Sequence, residues 1–147
     1  MNVKLFLSTE IWDPIAAIIR WHEDALWSHT GWRDVDTGRT FSAMADGKGV
    51  AWREPNPHAK ILMLNALGTD EAFQEALKFE GSGYDYLEIL GIMLGRDWQT
   101  PGRVICSHLT FPQYAKVGKP LLNHTFIQFE KLIPSYTLLS PFVSEAA

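Results

Sequence analysis

Two turn signals constrain this chain more than any other feature of its sequence. Asp36-Thr37-Gly38 and Asp46-Gly47-Lys48-Gly49 are built from residues that reverse a chain tightly. They divide one region into three short stretches, Trp27 to Val35, Arg39 to Ala45 and Val50 to Arg53. Short stretches joined by tight turns pair most readily with their sequence neighbours, so the region predicts an antiparallel meander. Val3 to Leu7 adds an apolar strand. Lys60 to Leu64 adds another, apolar enough to be central.

Between and after these strands the apolar period changes to that of helices. Asp13-Pro14 is a helix start with proline at the first helical position, and Ile15, Ile18, Ile19 and His22 continue it to about Asp24. Thr69 is an N-cap for a helix reaching about Phe79, with Glu71 and Glu75 outward and Ala72, Phe73, Ala76 and Leu77 inward. Gly81-Ser82-Gly83 ends it. A further helix is expected from Tyr84 to about Leu94 with Leu87, Leu90 and Ile92 buried. The loop Arg96 to Gly102 leads to a helix opened by Cys106 and closed by Gly118-Lys119-Pro120. Pro112 lies inside that helix. Its missing N–H removes one backbone bond, which predicts a kink or an irregular first turn. In the tail, Ile133-Pro134-Ser135 reads as a loop into a short helix or strand ending near Pro141. Strands and helices together, over 147 residues without repeat or linker, predict one α+β domain spanning 1-147.

Several function classes are disfavoured. A net charge of −4 and no Lys/Arg cluster argue against a general nucleic-acid binder. The N-terminal apolar run is too short for a signal-peptide core, Glu10 and Asp13 follow quickly, and no stretch approaches a membrane span. A cytoplasmic location is expected. A single cysteine excludes an intramolecular disulfide framework and a cysteine-rich zinc site. The five histidines form no H-x-x-x-H or H-E-x-x-H pattern, and the glycines form no dinucleotide or phosphate loop. No metal and no cofactor are expected.

The chemistry-bearing residue types converge on Cys106. A thiol at a helix start faces backbone N–H groups and the positive end of the helix dipole, which lower its pKa. Equally, a lone cysteine packs as a small apolar side chain. A nucleophilic thiol needs a histidine as base. His108, two residues on, would face away from the thiol on a helix. His58 follows prolines in a loop, His22 sits on the first helix and His124 in a loop before the tail. His29 opens a strand and precedes Thr30-Gly31, small residues that allow another segment close approach. It also fits a hydrogen-bonded strand-end histidine.

The motifs occur in a telling order. Ser28-His29-Thr30-Gly31 opens a strand. Phe41-Ser42-Ala43 and Gly49-Val50 follow in the meander, then Gly83-Tyr84-Asp85-Tyr86, then Ile105-Cys106-Ser107-His108-Leu109, and Ile133-Pro134 with Ser140-Pro141. From Asp13 to Pro141 this order resembles the circularly permuted NlpC-type branch of the papain-like cysteine hydrolases, in which the histidine strand precedes the cysteine helix. The resemblance implies an antiparallel meander or small barrel packed on helices. It implies Cys106 as nucleophile, His29 as general base, and Tyr84 as an active-site hydroxyl that could add a second oxyanion donor to the Cys106 N–H. Ser42 stands at the position of the residue that orients the histidine, where relatives often have an acidic or amide side chain. His108 stands where the family pattern has glutamate.

The implied activity is that of an amidase or peptidase acting on a small peptide or cell-wall-like amide through a thioester. A thioesterase or acyltransferase on an acyl substrate, as in lecithin–retinol acyltransferase relatives, uses the same residues. A non-catalytic binding module with an eroded triad is the third reading, supported by Ser42. Trp12, Trp21, Trp27 and Trp32 could line a substrate groove, although core packing uses the same spacing. Oligomeric state is not legible in the sequence.

Overall fold

A computed structural model describes residues 1–9, 29–64, 66–96, 98–119 and 142–146. Five strands open the described chain: β1 (Val3–Thr9), β2 (His29–Asp34), β3 (Thr40–Met44), β4 (Gly49–Arg53) and β5 (Lys60–Leu64). Helix α1 (Thr69–Leu77), strand β6 (Gly83–Tyr84), helix α2 (Tyr86–Met93), strand β7 (Arg103–Val104), helix α3 (Cys106–Lys116) and strand β8 (Phe142–Ala146) follow. The expected helix from Asp13 to Asp24, and the tail from Pro120 to Pro141, lie outside the described residues.

The fold is α+β. Six antiparallel strands form one sheet in the order β4-β3-β2-β1-β5-β8. The expected meander is its β2-β3-β4 part. A small parallel pair, β6 with β7, stands apart. β5 has β1 on one side and β8 on the other, the interior position its apolar sequence predicts.

Register divides the large sheet into two faces, because successive side chains of a strand point opposite ways. Leu5 lies opposite Trp32 and Leu64, and Trp32 lies opposite Phe41. These four point to one side, where α1 and α3 cover them. Trp32 is fully buried there. It stacks on Tyr114 of α3 at 5.4 Å and tilts against Phe73 of α1 at 5.7 Å. Its Nε1–H donates to the Leu109 carbonyl at 3.4 Å. This aromatic cluster is the main core. On the other side Phe6 lies opposite Gly31 and Met63, and a smaller apolar group gathers Phe6, Ala59, Ile61 and Met63. Gly31 has to be glycine: a Cβ there would come within 2.8 Å of the Ser42 Cβ and 2.9 Å of the Phe6 ring.

The helices depart from expectation at their ends. Thr69 does not cap α1. Gly68, at φ 78°, takes the cap position, and the Thr69 hydroxyl instead meets the Ala66 carbonyl at 2.7 Å and the Tyr114 hydroxyl at 2.9 Å. That side chain ties α1 to α3. Helix α2 begins two residues later than expected because Gly83-Tyr84 is drawn into the pair with β7. Asp85 then caps it, its Oδ1 accepting the Glu88 N–H at 3.1 Å. Leu87 and Leu90, expected inside, are 48% and 46% exposed. The turn after α2 folds over the side of Gly91, where a Cβ would meet the Arg96 carbonyl at 2.9 Å and Trp98 at 3.0 Å. Glu88 and Gly91 therefore face inward and the leucines outward.

Pro112 is accommodated without ending α3. The carbonyl it orphans, that of His108, accepts the Gln113 Nε2–H at 2.9 Å. A side-chain amide from the next residue thus replaces the missing backbone donor.

Candidate active site

Cys106 is the first residue of α3, and the residue before it, Ile105, is extended at φ −102° and ψ 169°. Ile105, at the cap position, makes no side-chain hydrogen bond to this helix N-terminus. Its first-turn N–H groups point toward the space around Cys106. The thiol residue is only 1% exposed and packs with the main core. Its carbonyl accepts from the Thr110 hydroxyl at 3.3 Å.

Tyr84 is brought close to this turn. It pairs with Val104, two residues before Cys106, and is buried in the same cluster. Asp85 continues the pairing by donating its N–H to the Val104 carbonyl at 3.1 Å. The Tyr84 ring meets the Tyr86 ring edge-on at 5.2 Å.

His29 and Ser42 stand elsewhere. His29 lies opposite Ser8, on the same side of the sheet as Phe6 and Gly31, and its ring tilts against Phe6 at 5.8 Å. Ser42 lies opposite Ala51, on that side too, and is fully buried. Both are one step out of phase with Trp32 and Phe41, which face α3. The sequence placed His29 beside Cys106 as its base. The structure brings His29 and Ser42 to one face and Cys106 and Tyr84 to the other. Strand parity is the reason, since Trp32 claims the helix side for its indole and the third residue before it must point away.

The His29 face carries its own electrostatics. His29 Nε2 and Ser42 Oγ are both buried without a hydrogen-bond partner among the described residues. The imidazole pKa is lowered from 6.5 to about 4, first by burial and then by the Arg53 charge, with Asp46 opposing. Arg53 itself is fully engaged. It donates to both Asp46 carboxylate oxygens at 2.7 and 2.8 Å and to the carbonyls of Ser42, Gly49 and Ala51. The Asp46 carboxyl is held below its usual range, foremost by the Arg53 hydrogen bond. This guanidinium locks the β3-β4 hairpin and keeps a positive charge near His29, which favours the neutral ring.

Sequence reasoning missed a cluster between α2 and α3. His108 Nδ1 lies 3.0 Å from Glu88 Oε1, and the Glu88 side chain is 7% exposed. Asp85, fully buried, accepts from the Thr100 N–H at 2.7 Å and its hydroxyl at 3.0 Å as well as from Glu88. Burial raises the Asp85 carboxyl, but the Thr100 and Glu88 bonds and the Arg103 charge outweigh it and hold the group below its ordinary range. Asp85 and Glu88 stand at capping-box spacing, a signal legible in the sequence. Among the described residues no three His, Cys, Asp or Glu side chains gather closely enough to hold a metal ion. No described helix is long and apolar enough to cross a membrane.

No protein-family model matches the chain, and no curated protein matches it.

Proposed function

We propose that the chain is a cysteine hydrolase of the permuted papain-like type, cleaving an amide in a small peptide or cell-wall-like substrate through a thioester on Cys106. The observation that carries this reading is Cys106 at the first position of α3, with Tyr84 held opposite Val104. In the proposed cycle the thiol gives its proton to a base, and sulfur attacks the substrate carbonyl. The oxyanion accepts the Cys106 N–H and the Tyr84 hydroxyl. The C–N bond breaks as the base returns its proton to the leaving amine. Water then cleaves the thioester and restores the thiol. With His29 as that base, the imidazole has to reach the Cys106 side of the sheet. His29 is the first residue of β2, and turning that end residue alone leaves Trp32, three positions on, in its register with Leu5.

Mass spectrometry after incubation with amide, ester and thioester probes tests the reading. An acyl adduct on Cys106, absent in Cys106→Ala, is the expected result. An adduct from the ester and thioester probes alone would indicate the thioesterase or acyltransferase chemistry. No adduct from any probe sinks the nucleophile.

A second reading is favoured by the opposite faces of His29 and Cys106. In it the chain is a non-catalytic binding module and Cys106 a packed thiol. Iodoacetamide alkylation that follows an ordinary thiol titration near about pH 8.5, unaltered in His29→Ala, would support that module against the hydrolase.

A further inference from the structure

Glu88 has no role in the chemistry above, yet it is a carboxylate buried to 7% exposure on a helix whose leucines face outward. In a capping box its side chain would turn back to the N–H of Asp85. That N–H is taken by the Val104 carbonyl. The Glu88 carboxylate reaches across to His108 in the first turn of α3 instead, leaving its Oε2 buried without a partner among the described residues. His108 is held from a second direction, since its carbonyl accepts the Gln113 side chain. Asp85, at the start of α2, accepts the Glu88 N–H, and the Arg103 charge acts in turn on Asp85.

We propose that Glu88 and His108 are the positioning pair of the Cys106 turn. Their contact clamps the first turn of α3 to the start of α2 and fixes where the thiol sits. A residue two positions from Cys106 points roughly to the far side of the helix, so the clamp grips the turn from behind, away from the thiol. The role rests on the reading of Cys106 as the reactive group, but its physical content is local rigidity.

Amide hydrogen exchange of the full chain reads that rigidity without any substrate. In His108→Ala and Glu88→Ala, exchange at the Leu109 amide, which closes the first turn onto the Ile105 carbonyl, should rise about tenfold or more, with Val117 at the far end unchanged. The exchanged pair, Glu88→His with His108→Glu, should restore most of the protection, and Cys106 alkylation should rise and fall with it. Glu88→Leu keeps much of the side-chain volume, removes the acceptor, and carries the same test if the alanine variant does not fold. Unchanged Leu109 exchange, a parallel rise at Leu109 and Val117, or failure of the exchanged pair to restore protection would each overturn the clamp. A failed acylation assay beside a confirmed clamp would count against the hydrolase and leave the clamp standing.

Discussion

The two faces of the six-stranded sheet solve the same problem differently. On the helix side Trp32 packs against Phe73 and Tyr114, and the Trp32 N–H and the Thr69 hydroxyl are bonded at the contact, while the unpartnered buried atoms among the described residues, Gln113 Oε1 and Glu88 Oε2, sit on the helices. On the other side two buried polar atoms, His29 Nε2 and Ser42 Oγ, lack partners among the described residues. A buried unsatisfied group costs roughly 1–3 kcal/mol. The helix side thus carries the larger apolar cluster, while the His29 side has a smaller one beside polar atoms buried on the strands themselves.

The contrast can be broken from the stable side first. Trp32→Ala removes an indole that touches both helices and should cost about 3–5 kcal/mol in urea unfolding. A loss under about 1 kcal/mol would mean that this face is not the principal core.

The second test concerns acid. The unfolded chain takes up a proton on His29 as pH falls past 6.5, whereas the folded ring resists until about 4. Over that window the unfolded state binds more protons, so stability drops with falling pH, by up to about 3 kcal/mol from this group. Unfolding curves for wild type and His29→Gln at several pH values should diverge across the window, the variant losing less. Parallel curves would mean that the ring is not held neutral.

The smallest effect has the opposite sign. Ser42→Ala deletes a buried hydroxyl that lacks a partner and should stabilise the protein by on the order of 1 kcal/mol. A clear destabilisation would show that the hydroxyl is bonded after all.

The same contrast explains what the sequence could and could not reveal. The meander was legible because its turns carry glycines at positive φ, Gly38 and Gly47 among them, between short strands. The approach of Tyr84 to the Cys106 turn was half legible, since both residues lie in local motifs joined by one short pair. The side of the sheet on which His29 stands relative to Cys106 was not. It depends on strand parity, and a stretch reading Ser28-His29-Thr30-Gly31-Trp32 alternates too loosely to say whether the imidazole or the indole faces the helices. The exposure of Leu87 and Leu90 escaped for a similar reason. Which side of α2 turns inward is set by the fold-back onto Gly91, a tertiary contact with no trace in helical periodicity.

One local repair in α3 bears on how this chain can change. Because the Gln113 amide substitutes for the donor that Pro112 lacks, the two positions are not independent. Gln113→Ala is harmful beside Pro112 and close to neutral beside an alanine there. A lineage could have acquired the glutamine first at little consequence and the proline afterwards, but the reverse order passes through a helix with an orphaned carbonyl. Pro112 and Gln113 should therefore be gained and lost together, as a permissive substitution and the one it permits.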